Sequence, residues 1–182
     1  MKLIKTNIND LYILKPSLFE DDRGSFFESY NKINYEINLG GVGFVQDNVS
    51  KSVKDTIRGL HFQNPPYTQS KLVTCLKGEI LDVSVDLRSN SKTYGHINNT
   101  ILNDKNNLQL FIPKGLAHGF SVLSEYAIVY YKADNYYNMK YENGILWNDK
   151  HLNIDWKINY DNAIISKKDS KWHLFHNIKN PF

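Results

Sequence analysis

An arginine, a histidine and a lysine stand close together in Arg58-Gly59-Leu60-His61-Phe62-Gln63 and Gln69-Ser70-Lys71-Leu72-Val73. Read as two adjacent strands facing one pocket, these segments could grip a phosphate, remove a proton and stabilise the charge that results. That is the chemistry of a proton beside a carbonyl on a phosphorylated substrate. Strand alternation sets His61 on the side of Gly59 and Gln63, opposite Leu60 and Phe62. A lone histidine there would most often be structural, bonded to a backbone carbonyl. Arg58, Gln63, Lys71 and His118 lie on elements expected to be neighbours, and imidazole titrates near neutral pH, so the reading is a general base.

Lys71 would be a surface residue by default. Its functional reading is a fixed positive charge on an enolate oxygen, worth about 3 kcal/mol in a dry site. In Ile128-Val129-Tyr130-Tyr131-Lys132 the two tyrosines face opposite sides, so at most one enters the pocket. A phenol of pKa near 10 suits a proton donor to a carbanion. Metal binding is the rival role for the histidines. The chain offers His61-x-Gln63, no further Glu until Glu79, and then His118, which is a broken ligand set. No metal is expected. Cys75, among Val73, Leu81 and Val83, reads as a buried strand residue and not as a catalytic thiol. Asp169 reads as an ordinary helix start, and Arg23 as the partner of Asp21 or Asp22 in a turn.

The elements that must position these groups are short. The chain of 182 residues suits a single domain, 1–182, with a core of useful size. Its hydrophobic share of 41% and charged share of 23% are ordinary for a globular protein. Aromatics at 13%, with 12 Tyr and 9 Phe, suit a β-rich fold with an aromatic-lined cavity. The net charge of +3 is spread along the chain, which argues against a nucleic-acid partner. Met1-Lys2-Leu3-Ile4-Lys5 turns polar too soon for a signal peptide, and no apolar run is long enough to span a bilayer. A cytoplasmic protein with no membrane partner is expected. The single Cys excludes an internal disulfide and fits a reducing compartment. Only three of the 22 basic residues are Arg (Arg23, Arg58, Arg88), so arginine is kept for places where a planar fork matters.

Alternation predicts strands over Leu11–Leu14, Phe26–Tyr30, Phe44–Ser50, Thr56–Phe62, Lys71–Leu76, Ile80–Leu87, Gly95–Leu102, Leu108–Ile112, Gly119–Leu123 and Ala127–Lys132. Asn31–Leu39, stopped by Gly40-Gly41, predicts a helix. Lys77-Gly78-Glu79 reads as a hairpin turn. Leu81, Val83, Val85 and Leu87 alternate with Asp82, Ser84 and Asp86, which predicts a half-buried strand. The tail after Trp147 suggests one or two short helices. Many antiparallel strands with tight turns indicate an all-β jelly-roll barrel with a few short peripheral helices. An immunoglobulin-like sandwich finds no Cys-Trp-Cys pattern here. The turn Ile112-Pro113-Lys114-Gly115-Leu116-Ala117-His118 would deliver His118 to the mouth of the barrel.

These blocks resemble the dTDP-4-dehydrorhamnose 3,5-epimerase family, nucleotide-sugar epimerases of the cupin jelly-roll fold. The match rests on Phe19-Glu20-Asp21-Asp22-Arg23-Gly24, Phe44-Val45-Gln46-Asp47-Asn48, Arg58 to Gln63, Gln69 to Val73, Gly78-Glu79, Asp86-Leu87-Arg88, Ile112 to Phe120, Tyr131-Lys132 and Leu146-Trp147-Asn148-Asp149. It runs from about Leu11 to Asp169, and leaves Lys171 to Phe182 unmatched. The resemblance implies inversion of C3 and C5 of dTDP-4-dehydro-6-deoxy-D-glucose, with no cofactor and no metal. It implies His61 as base, Asp169 as the carboxylate that orients it, Tyr131 as acid and Lys71 near the enolate oxygen. Arg23, Glu28, Gln46, Asn48, Arg58, His118, Glu142 and Lys168 match positions that line the substrate site. A homodimer is the family's expected state, and a surface polysaccharide the expected destination of the product. Inversion of C3 alone, action on another nucleotide sugar such as a GDP-linked 4-keto heptose, 3,4-ketoisomerisation, and sugar binding without catalysis are the competing readings.

Overall fold

Period-two alternation in the middle of the chain is realised as two sheets packed face to face. The computed structural model describes residues 1–179 and 182; Asn180 and Pro181, in the stretch the resemblance left unmatched, lie outside the described residues. The strands are β1 (Lys2–Lys5), β2 (Tyr12–Lys15), β3 (Phe19–Asp21), β4 (Gly24–Phe26), β5 (Gln46–Val53), β6 (Thr56–Gln63), β7 (Lys71–Lys77) and β8 (Glu79–Asp86). They continue as β9 (Ile97–Asn103), β10 (Gln109–Ile112), β11 (Leu116–Val122), β12 (Tyr126–Ala133), β13 (Glu142–Gly144) and β14 (Ile164–Ile165). The first sheet has the order β1-β2-β10-β7-β12-β5, and the second β13-β6-β11-β8-β9 with β14 beside β6. β3 and β4 form a separate exposed hairpin. This is the jelly-roll barrel that the alternation predicted.

One helix, α1 (Lys32–Asn38), occupies the predicted position, with Asn31 as its N-cap and Leu39 as its C-cap. Tyr35 and Leu39 pack it on Leu14, Leu72 and Phe111, the outer face of the first sheet. The tail, where one or two short helices were expected, forms short 3₁₀ helices at Tyr160–Asn162, Asp169–Lys171 and Phe175–Asn177. No helix among the described residues is long and apolar enough to cross a membrane.

Four local expectations need correction. β6 and β7 are consecutive in sequence but belong to opposite sheets, so Arg58 and His61 face Lys71 across the barrel and not along a shared ladder. For the same reason Lys77-Gly78-Glu79 is not a hairpin turn: β7 pairs with β10 and β12, while β8 pairs with β11 and β9. Turn chemistry is local and does not record which sheet the chain enters next. β8 is buried on both faces, with Asp82, Ser84 and Asp86 fully enclosed. Its apolar side is covered by Ile145, Leu152, Ile154 and Trp156 of the tail, and its polar side points into the barrel. Finally, the strand expected over Phe26–Tyr30 ends at Phe26; the carbonyl of Ser29 accepts from the Tyr35 hydroxyl and the Gln109 amide instead of a ladder partner.

The barrel interior changes character along its length. Towards one end Cys75, Ile80, Leu102, Val122 and Ala127 from both sheets form a closed apolar core. Burying side chains of this kind contributes about 1.5–3 kcal/mol each. Towards the other end the same inward rows carry polar groups: β7 runs Lys71-Val73-Cys75, β11 runs His118-Phe120-Val122, and β12 runs Tyr131-Val129-Ala127. One apolar plug therefore holds the strands together while their other ends present chemistry.

Candidate active site

The polar end opens as a cavity of about 380 Å³, within the range of small-molecule sites. His61, Arg58 and Gln63 reach it from β6, His118 from β11, Lys71 from β7, Tyr131 from β12, and Gln46 and Asn48 from β5. Glu142 of β13 and Lys168 of the tail close its rim. Tyr130 points away, its hydroxyl accepting from Lys132 at 3.0 Å, so one tyrosine enters, as alternation required.

Strict alternation would set Arg58 and His61 on opposite faces of β6, and a bulge removes that conflict. His118 pairs with His61 but Phe120 pairs with Arg58, so Gly59-Leu60 stands opposite the single residue Gly119. Glycine is needed on both sides. A Cβ on Gly59 (φ +133°) would lie 2.5 Å from the Gly119 Cα, and one on Gly119 would lie 2.7 Å from the Arg58 carbonyl oxygen. Leu60 turns outward into the core beneath the tail, and both functional side chains turn inward.

His61 Nε2 lies 2.8 Å from Asp169 Oδ1. Asp169 is almost fully buried and also accepts from the Gly59 amide (3.3 Å) and the Trp172 indole (3.3 Å). Burial works to raise its carboxyl, but the hydrogen bond and charge of His61 and the Gly59 amide together hold it below the ordinary value. An ionised carboxylate only accepts, so His61 Nε2 carries the proton and Nδ1 is left as the acceptor. Trp172 meets the His61 ring edge-on at 6.2 Å, fixing its plane from the side.

A second histidine repeats the motif deeper in. His118 Nε2 lies 2.8 Å from Asp82 Oδ2. Burial lowers the His118 pKa despite the opposing charge and hydrogen bond of Asp82, so this imidazole is neutral at neutral pH. Burial also depresses Lys71 to about 8, with Asp82 and Glu142 pulling the other way. The Tyr131 phenol is pushed up by burial, which keeps it protonated. Glu142 accepts from Lys168 (2.7 Å) and from the Tyr137 hydroxyl (2.8 Å); burial opposes these bonds, yet its carboxyl ends below the ordinary value. Asn48 Nδ2 and Ser50 Oγ are buried in the cavity wall with no partner, the state of groups that await a polar ligand. Among the described residues no three His, Cys, Asp or Glu side chains converge as a metal site would require.

Of the twelve residues singled out from sequence, nine line this cavity and Asp169 backs it. Arg23 and Glu28 stand apart. Arg23 sits in the β3–β4 hairpin with its side chain 89% exposed and paired to Asp21, and Glu28 binds Asn31 and Asn34 beside a separate hollow. Sequence reasoning missed Asp82, Ser50, Tyr137 and Trp172. Asp82 looked like the solvent face of an alternating strand, and no local pattern marks Ser50, Tyr137 or Trp172.

Residues 5–177 match the family model described as dTDP-4-dehydrorhamnose 3,5-epimerase. The chain belongs to this family. A dTDP-4-dehydrorhamnose 3,5-epimerase of Shigella flexneri is 49% identical over 176 residues, covering 96% of each chain. The crystal structure of dTDP-4-dehydrorhamnose 3,5-epimerase from Elizabethkingia anophelis NUHP1 superposes with a TM-score of 0.94 at 48% identity, over 99% of this chain and 98% of that one. A dTDP-6-deoxy-D-glucose-3,5-epimerase of Legionella pneumophila Philadelphia 1, solved with dTDP-4-keto-L-rhamnose, gives 0.93 at 43% identity, over 97% and 94%. The match to the epimerase family thus begins earlier than Leu11 and passes Asp169, taking in Lys171 to Asn177 that motif reading had left out. All twelve candidate residues fall inside it, while positions 178–182 lie beyond.

Proposed function

We propose that this chain inverts C3 and C5 of dTDP-4-dehydro-6-deoxy-D-glucose, giving dTDP-4-dehydro-L-rhamnose. The observation that carries the proposal is that His61 and Tyr131 stand on opposite sheets and open into one cavity with Lys71. A C–H beside the C4 ketone is weakly acidic, and its removal leaves an enolate that needs a nearby positive charge. His61 takes the proton, with Asp169 favouring the imidazolium that forms. Lys71 faces the enolate oxygen. Tyr131 returns a proton from the other wall, which inverts the carbon. The cycle moves protons only, so it balances without oxidant or reductant.

Arg58, with Lys168 at the rim, supplies positive charge for a diphosphate, and Gln46, Asn48, Glu142 and His118 supply polar contacts to the sugar and nucleotide. Arg23 and Glu28 do not reach this cavity, and their hairpin exposes Phe19 (64%) and Phe26 (70%). This supports a homodimer in which one copy's hairpin serves the other's site. The single domain 1–182 acts in the cytoplasm, as the lone buried Cys75 suits a reducing compartment.

The test is incubation with the 4-keto sugar nucleotide in heavy water, followed by NMR of the product. Deuterium at both C3 and C5 with inverted configuration is the expected result. Deuterium at C3 alone would make the chain a C3 epimerase, and none at either carbon would remove epimerisation altogether.

A further inference from the structure

Beside Lys71 and His118, at the same polar end of the barrel, lies a second and much smaller space of about 10 Å³. Its walls include Phe62, Lys71, Leu116, His118 and the side chain of Phe182. A single water needs about 10–15 Å³ of such space, so this one has room for about one water. Phe182 is held by packing and by hydrogen bonds. Its ring meets Phe62 edge-on at 5.8 Å, and its carbonyl oxygen accepts from the Ser89 amide at 3.1 Å and the Ser89 hydroxyl at 2.5 Å. Gly115 leaves the room: a Cβ there would lie 2.4 Å from Arg88 Cγ and 3.6 Å from Phe182 Cγ. Arg88 is held in turn by Asp86, at 2.9 Å from both Nε and Nη2.

We propose that Phe182 is a positioning residue: its ring closes one flank of the site and keeps bulk water from reaching the amine of Lys71 and the imidazole of His118 on that side. The family model ends at 177, so Phe182 lies outside the matched residues. Its consequence for the reaction rests on the reading of Lys71 as the charge facing the enolate. A dry amine acts on that oxygen far more strongly than a hydrated one. Burial is the leading cause of the low Lys71 pKa of about 8, which agrees with a closed flank. The other groups that bear on Lys71 are Asp82, His118 and Glu142, with His61, Tyr131, Arg58 and Lys168 in the same cavity.

The experiment compares the parent protein with Phe182→Ala and Phe182→Leu. Acetylation of Lys71 is followed by mass spectrometry as a function of pH, with no substrate present. The midpoint is expected to rise by about one pH unit in Phe182→Ala, towards the ordinary lysine value, and to return in Phe182→Leu. On the 4-keto sugar nucleotide, kcat should fall about fivefold in Phe182→Ala with KM unchanged. Should Phe182→Ala not fold, Phe182→Gln replaces it and must give the same upward shift. A folded variant with a lower Tm but an unmoved Lys71 midpoint overturns the proposal, because a merely structural role predicts that result. If the parent protein does not turn over the sugar nucleotide, the functional reading fails, while the acetylation midpoint still decides whether Phe182 closes the site.

Discussion

Two histidine–carboxylate pairs face one cavity with the same 2.8 Å contact, and they differ in what surrounds them. The His61 side chain is 27% exposed, while His118 keeps 8% and its partner Asp82 none. Asp169 comes from the tail, more than a hundred residues along the chain from His61; Asp82 comes from the strand next to His118. The outer pair has a partly exposed imidazole that lines the cavity. The inner pair is sealed and its imidazole held neutral by burial, so it serves as a fixed polar wall. One contact thus yields two functions, and burial decides which.

Substitutions can break this comparison. The largest loss is expected from His61→Asn, at least about a hundredfold in turnover, measured by product NMR with substrate binding retained. Asp169→Asn follows, with a loss of about thirtyfold, because the imidazole loses both its orientation and its counter-charge. Its acid signature has a definite sign. The folded Asp169 carboxyl titrates below its unfolded value, so its stabilisation is present above the ordinary carboxylate range and fades as pH falls through the lowered one. The stability difference between the parent protein and Asp169→Asn, read by urea unfolding, should shrink below about pH 4. Asp82→Asn is expected to cost the least, about threefold to tenfold, with no change in proton exchange at the substrate. A larger loss there than in Asp169→Asn would reverse the roles of the two pairs.

The contrast also explains what the sequence could reveal. Period-two alternation carried the all-β reading, and His61, Lys71 and His118 were legible as a group on elements expected to be neighbours, while Tyr131 was told from Tyr130 only by the family likeness. Asp82 meets His118 inside the barrel but was read as solvent-exposed, since alternation separates two sides of a strand but does not say which one meets water. The sheet switch at Lys77-Gly78-Glu79 was hidden because a turn signature records local geometry only. The bulge at Gly59 was hidden too, because it depends on Gly119, sixty residues on, meeting it across the ladder. Asp169 was recognised through the family likeness alone; its role arises where the tail folds back on β6, and nothing local announces that contact.

The central claim is that base and acid act from opposite sheets on one bound sugar. Tyr131→Phe tests it most directly, by comparing the rate at which the substrate gains deuterium from heavy water with the rate at which it inverts. Exchange is expected to continue through His61 while inversion falls at least about a hundredfold. Exchange and inversion lost together in Tyr131→Phe, to the level of His61→Asn, would contradict it.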